Sequence, residues 1–93
     1  MSHYLINMIN IVNTNTFNIG DKVIVTGKPA YNNLSQYPVV PEQTIGHVIK
    51  IRHRYQNTPN EYFQYKVSFN GYSDGDDLTN LYSEYNIQLV KDD

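Results

Sequence analysis

The chain has 93 residues, enough for one domain with a single modest core and too few for a core with a separate catalytic lobe. A formal net charge of −2 and a pI near 5.8 argue against a generic nucleic-acid binder, which is usually clearly basic. The chain lacks cysteine, which excludes disulfides and thiol nucleophiles and suits a reducing cytoplasm. No apolar run reaches the roughly 18 residues of a membrane span, so we expect no membrane partner.

The opening segment, residues 1–16, repeats an apolar-apolar-asparagine rhythm that fits neither a strand period nor a helix period. Its β-branched residues and asparagines favour extended chain, and no capping signal precedes them. We therefore predict an N-terminal arm or added strand beside a domain spanning residues 17–93. The apolar residues of this arm need cover, which an edge strand of the domain or a second copy of the chain in a homo-oligomer would supply.

The stretch from Phe17 to Gly27 is a turn that leads directly into a core strand. Gly20-Asp21 is a turn dipeptide, and Val23 and Val25 fall on one face of a strand of period two. We expect the strands downstream to pair with this one.

A long loop is predicted over residues 28–44, and loops of this length in compact domains are usually functional or disordered. Tyrosine offers a large amphipathic contact area at low entropic cost. Tyr31, Tyr37 and Val39 are therefore our candidate partner-binding residues. Prolines keep the loop out of a strand ladder: Pro29, Pro38 and Pro41.

The next predicted strand covers residues 46–54 and carries a basic stripe. In an unbulged strand, Lys50, Arg52 and Arg54 project from one face, with Ile49 and Ile51 on the other. Such a stripe is a candidate phosphate or nucleic-acid contact. The alternative interpretation is an ordinary solvated face, because three charges alone give only weak binding.

The clearest strand lies between residues 62 and 69 and is closed by an Asn70-Gly71 turn. Its bulky residues alternate with polar Gln64, Lys66 and Ser68, which predicts one buried and one solvated face. An acidic loop over residues 72–80, a single helical turn over residues 83–86 and a last short strand follow. The ten residues expected in the core are Val23, Val25, Val48, Ile51, Phe63, Tyr65, Val67, Phe69, Ile87 and Leu89.

Four patterns follow one another along residues 17–90: Phe17-x-x-Gly20-Asp21-x-Val23-x-Val25, Gly46-x-Val48-x-x-Ile51, Tyr65-x-Val67-x-Phe69 and Tyr82-x-x-x-x-Ile87-x-Leu89. In this order and spacing they resemble the SH3-like small barrels of the KOW and Tudor-like type. The resemblance implies an all-β fold, a small five-stranded, strongly bent barrel with an N-terminal extension. Such barrels serve as RNA-contacting, peptide-binding or structural modules.

The sequence gives little support to two kinds of ligand that proteins of this family bind. The chain lacks the pattern of an acidic RT loop with paired aromatic residues by which eukaryotic SH3 domains bind proline-rich ligands. Tyr62, Tyr72 and Tyr82 are the candidate walls of a methyl-lysine cage, but alternating tyrosines in a small barrel are more often packing residues.

No pattern supports catalysis or a cofactor. The three histidines lack H-x-x-x-H spacing, and the aspartates of residues 74–77 lack the closing glutamate of an EF-hand loop, so we assign no catalytic, cofactor or metal residues. We expect a cytoplasmic, non-enzymatic adaptor that binds a protein partner through the loop 28–44 and exposed strand edges. The alternatives are nucleic-acid contact through the stripe, and a small virus-encoded regulator or structural accessory protein, for which the compartment would be the host cytoplasm or the virion.

Overall fold

Six β-strands make up the regular structure of the residues that the computed structural model describes, which are 9–12, 16–30 and 38–92. The strands are β1 (Ile9–Val12), β2 (Lys22–Val25), β3 (Ile45–Arg54), β4 (Tyr62–Ser68), β5 (Leu81–Ser83) and β6 (Ile87–Asp92). They pair antiparallel in one sheet of order β1-β6-β2-β3-β4-β5. The chain is therefore all-β, and the sheet is not closed, because its end strands β1 and β5 do not pair with each other. No helix in the described ranges has the length and apolarity to cross a membrane.

Five of the strands, β2 to β6, fall within residues 17–93, and β1 is the sixth. β1 pairs with β6 in a register that places Val12 opposite Leu89. Leu89 also faces Val23 of β2, so β6 lies between β1 and β2. Residues 1–8 and 13–15 lie outside the described residues. The domain boundary at residue 17 therefore stays a prediction.

The hydrophobic core gathers on one face of the sheet around Tyr65 and Val67 of β4. The Phe17 ring meets the Tyr65 ring edge-on, with centroids 5.0 Å apart, so the turn before β2 closes over the central strand. Burial of a side chain such as Val67 contributes about 1.5–3 kcal/mol. Seven of the ten expected core residues are buried: Val23, Val25, Val48, Tyr65, Val67, Phe69 and Ile87.

The other three expected core residues are more exposed. Ile51 and Leu89 are partly buried and pack against the core. The prediction for Phe63 is wrong, because its side chain is 37% exposed. The cause is the length of the β3–β4 hairpin: β2 pairs with β3 only as far as His47, and β5 pairs with β4 only as far as Gln64. Beyond these rows the hairpin is a two-stranded ribbon that no other described strand flanks.

A β-bulge interrupts β3 next to Ile49. The register places Val48 opposite Val67 but Lys50 opposite Lys66, so Ile49 is an extra residue on β3. The shared face of Ile49 and Ile51 was predicted for an unbulged strand, and the bulge shows that this condition does not hold: Ile51 pairs with Tyr65 of the core, whereas Ile49 is 39% exposed.

β3 also runs very close to β4 near the start of β3. A Cβ on Gly46 would lie 2.5 Å from the Ser68 carbonyl oxygen and 2.7 Å from Val67 and Phe69 side-chain atoms. Only glycine fits this approach without moving the backbone of β4.

Candidate binding surface

The side of the β3–β4 hairpin opposite the core carries the charged residues, and we call it the outer face. Directly paired residues project to the same side of a sheet. The pairs Lys50–Lys66, Arg52–Gln64 and Arg54–Tyr62 therefore share the outer face, whereas Ile51–Tyr65 and His53–Phe63 share the core side. The three cations of the predicted stripe thus project together.

Lys66 does not lie in solvent, contrary to the expectation from the alternation of β4. It is only 5% exposed, and its Nζ donates hydrogen bonds to the backbone carbonyls of Asp74, Asp76 and Thr79, the last two at 2.8 Å. An ammonium group has three donors, and this loop accepts all three. Burial lowers the pKa of Lys66, an effect opposed by the nearby carboxylates of the same loop, first among them Asp74.

The acidic loop is thereby held against the outer face and has its own internal order. The Asp76 carboxylate accepts hydrogen bonds from the Leu78 N–H at 2.9 Å and from the Thr79 hydroxyl at 3.1 Å. These donors lower the pKa of Asp76, the Leu78 N–H most strongly. No three histidine, aspartate or glutamate side chains in the described ranges group closely enough to hold a metal ion.

One carboxylate of this loop reaches the basic stripe. Asp77 Oδ2 lies 3.1 Å from Lys50 Nζ, and both side chains are exposed, Asp77 at 76% and Lys50 at 48%. An exposed pair of this kind contributes about 0–1 kcal/mol, so it is easily exchanged. The charge of Lys50 is nevertheless balanced by the chain itself.

Arg52 and Arg54 have no carboxylate partner among the described residues. Arg52 Nη1 donates to Gln64 Oε1 at 3.4 Å, which is a long hydrogen bond to a neutral group. The guanidinium carbon of Arg54 lies 5.6 Å from the centre of the Tyr55 ring. Both arginines keep charge available for a ligand.

Two exposed tyrosines lie beside these arginines at the end of the hairpin. Tyr55 is 58% exposed and Tyr62 is 36% exposed, with ring centroids 5.8 Å apart. Tyr55 adopts φ +53°, a left-handed conformation that costs a non-glycine residue about 1–2 kcal/mol. We call Arg52, Arg54, Tyr55 and Tyr62 the arginine–tyrosine surface.

The core side of the hairpin end has a second, smaller cluster. The His53 and Phe63 rings stack with centroids 4.3 Å apart, and His53 Nε2 lies 2.6 Å from Glu61 Oε2, at hydrogen-bonding distance. The same carboxylate accepts the Asn57 N–H at 3.3 Å. The Asn57 N–H, followed by His53, lowers the pKa of Glu61. These contacts fix the loop that carries Tyr55.

The residues predicted for partner binding lie elsewhere. Tyr31 and Tyr37 fall outside the described residues, so their role stays a prediction. Val39 is described and 42% exposed, beside Val40, which is buried in the core. The loop 28–44 is thus anchored at its C-terminal end.

The three tyrosines considered for a methyl-lysine cage do not converge. Tyr72 and Tyr82 both pack edge-on against Phe69, with centroids 6.2 and 6.1 Å apart, whereas Tyr62 lies on the outer face. Tyr82 is fully buried, and burial raises its pKa to about 12. Tyr82 is therefore a packing residue.

Sequence reasoning found the arginines of the surface, and named Tyr62 only as a candidate cage wall, but it did not find Tyr55. The alternation of β3 signals Arg52 and Arg54, whereas the position of Tyr55 depends on a left-handed residue that no turn motif indicates. The sequence signal that could have indicated this surface is the pair of aromatic residues at the end of the hairpin, Tyr55 and Tyr62. Comparison of the chain with protein-family models, with curated proteins and with solved structures found no match.

Proposed function

We propose that this chain is a non-enzymatic binding module that recognises a protein partner through the arginine–tyrosine surface. The observation that supports this proposal best is Tyr55, a bulky residue in a left-handed conformation with its ring more than half exposed. A backbone cost of this size with no burial in return is typical of functional sites. Tyrosine and arginine are also the residues most enriched at the energetic centres of protein interfaces.

The fold part of the proposal is an SH3-like small barrel of the KOW or Tudor-like type, formed by β2 to β6. The support is the long connection after β2, the central β3–β4 hairpin and the tight turn before β6, where the Asn86 N–H donates to the Ser83 carbonyl at 3.1 Å. The Ala30 N–H also donates to the Leu81 carbonyl at 2.7 Å, which brings the chain after β2 against β5. In this proposal, the hairpin end is a projecting ribbon that the barrel presents to a partner.

The loop 28–44 remains a second proposed contact region, in which Val39 is an exposed apolar residue. Nucleic-acid contact through Lys50, Arg52 and Arg54 has less support, because Asp77 balances the charge of Lys50 and the whole chain is acidic. Two arginines that lack a carboxylate partner among the described residues give a weak and strongly salt-dependent interaction with a phosphate backbone.

The proposal can be tested by using the purified full chain as bait in an extract of its source cells. The test variant is Tyr55→Gly with Tyr62→Ala, because glycine relieves the left-handed backbone while the ring is lost. The matched control is Ile19→Ala, which removes an exposed apolar side chain, 66% in solvent. Ile19 lies at the opposite end of the hairpin, since the neighbouring Gly20 N–H donates to the Val48 carbonyl at 2.7 Å.

We expect the test variant to lose the partner and the control to retain it, with both proteins folded. Truncation of a central interface residue usually weakens binding by about 2 kcal/mol or more. Equal recovery of the same protein by both variants would contradict the proposal. Recovery that depends on nucleic acid, and is lost after nuclease treatment, would favour the alternative function.

A further inference from the structure

The outer face indicates the chemistry of the partner, and the inference drawn from it rests on the proposed function. We propose that the arginine–tyrosine surface binds an acidic, extended peptide segment whose carboxylates occur at every second residue. The partner is thus recognised by paired carboxylates lying over Arg52 and Arg54.

The chain itself supplies a carboxylate of this kind to the same face. The Oδ2 atom of Asp77, from the acidic loop, lies 3.1 Å from the Nζ atom of Lys50, the first of the three cations. The loop is positioned there by the three carbonyls that hold Lys66, so the contact is part of the fold. The next two cations along β3 have no such carboxylate among the described residues. An incoming acidic segment would continue the pattern that Asp77 begins.

The spacing of the arginines matches an extended peptide. Alternate residues of a β-strand lie about 6.6–6.8 Å apart along its axis and project to the same side. Arg52 and Arg54 are such a pair, and alternate side chains of an extended ligand have the same separation. Each guanidinium has a planar fork that fits one carboxylate with two hydrogen bonds, which lysine does not provide.

The surroundings favour a peptide over a nucleic acid. On β3 and β4 themselves, the lysines of the outer face are Lys50, which is paired with Asp77, and the enclosed Lys66, and the carboxylates of the acidic loop lie beside them. A phosphate backbone tracking along β3 past Arg52 would meet this acidic loop and be repelled. A short acidic segment needs only the two arginines, with Tyr55 and Tyr62 covering its apolar parts.

The experiment is a fluorescence anisotropy titration of the full chain with a labelled peptide of about ten residues in which glutamate and serine alternate. A second peptide has the same composition with its glutamates consecutive, a third has lysine in place of glutamate, and a thymidine oligonucleotide of equal length tests nucleic acid. We expect the alternating acidic peptide to bind best and the lysine peptide not to bind.

Three variants sharpen the result. Arg52→Gln with Arg54→Gln should weaken binding of the alternating peptide about tenfold or more, and Arg52→Lys with Arg54→Lys should recover only part of that loss, because the charge returns without the fork. Asp77→Asn should strengthen binding about two- to fivefold by freeing Lys50. This last variant changes an exposed side chain, so it tests the proposal even where the arginine variants fold poorly.

Three outcomes would overturn the inference: no binding of the acidic peptide at about 1 mM, a concentration that reveals even very weak complexes, binding unaffected by the arginine variants, or tighter binding of the oligonucleotide. A protein partner that depends on Tyr55 and Tyr62 but is not displaced by the acidic peptide would refute this inference alone and leave the proposed function standing. A partner that does not depend on those tyrosines would refute the proposed function.

Discussion

Replacement of Lys66 by methionine tests the contact that fixes the acidic loop to the outer face. Methionine has a similar length and fills the same space, but it cannot donate to the three carbonyls. The carbonyls of Asp74 and Asp76 belong to exposed residues and can bind water instead. The Thr79 carbonyl belongs to a residue with 0% exposure, so it would be left without a donor.

The expected cost follows from this one stranded acceptor. A buried polar group that loses its partner costs about 1–3 kcal/mol, and the relief of the desolvated ammonium and the added apolar contact offset part of it. We therefore expect Lys66→Met to lower the free energy of unfolding by about 1–2 kcal/mol. The matched control is Lys50→Met, which removes a cation paired in solvent and should cost about 0–1 kcal/mol.

Urea denaturation followed by circular dichroism measures both variants. With a slope of about 1–2 kcal/mol per molar urea for a small domain, the midpoint of Lys66→Met should fall by about 1 M relative to wild type. Hydrogen exchange should localise the change to residues 76–80, the last turn of the acidic loop. The reasoning would be refuted if Lys66→Met were as stable as Lys50→Met, or if exchange increased evenly over the sheet.

Two further predictions concern pH. The Tyr82 hydroxyl is buried without a hydrogen-bond partner among the described residues, and its pKa is about 12 in the folded protein against 10.0 in the unfolded chain. The folded state therefore favours the protonated hydroxyl. The stability that this preference contributes is fully present below pH 10 and should be lost as the pH rises from 10 to 12. Tyr82→Phe should remove its share of this alkaline loss and leave neutral stability unchanged or raised by about 1 kcal/mol, in thermal melts from pH 8 to 12. Asp76 has a pKa below its unfolded value of 3.8, so the stability that it contributes above about pH 4 should be lost as the pH falls through its folded pKa. Melts of Asp76→Asn between pH 6 and 2 should show a shallower acid limb than wild type; identical limbs would mean that the Leu78 and Thr79 hydrogen bonds do not matter to folding.

Local patterns in the sequence predicted β2 and β4 well, because alternate residues of both strands lie in the core. The alternation in β4 places Tyr65, Val67 and Phe69 in the core, and β2 is defined by Val23 and Val25 after a turn. The position of Phe63 could not be predicted in this way. Alternation tells which side a residue faces, but whether that side is covered depends on where the neighbouring strands end.

The burial of Lys66 could not be predicted from the sequence either. Its position on β4 is that of a solvated residue, and its three acceptors are backbone carbonyls, which every residue has. Only the path of the acidic loop brings those carbonyls to one point. The acidic composition of that loop gave no indication of this, because its side chains are not the groups that hold Lys66.

The bulge at Ile49 decides which side of the sheet carries the candidate surface. Val48 is buried in the core, and in a regular strand of period two Lys50, Arg52 and Arg54 would face the same side as Val48. The extra residue reverses the alternation, so that Val48 points into the core and the three cations point out of it. The sequence alone could show that these cations share a face, but the face itself is set by one inserted residue. Ile49 therefore matters to the site although its own side chain is partly exposed and lies outside the core. Its position as the extra residue of β3 lets one strand contribute Val48 to the core and the three cations to the outer face.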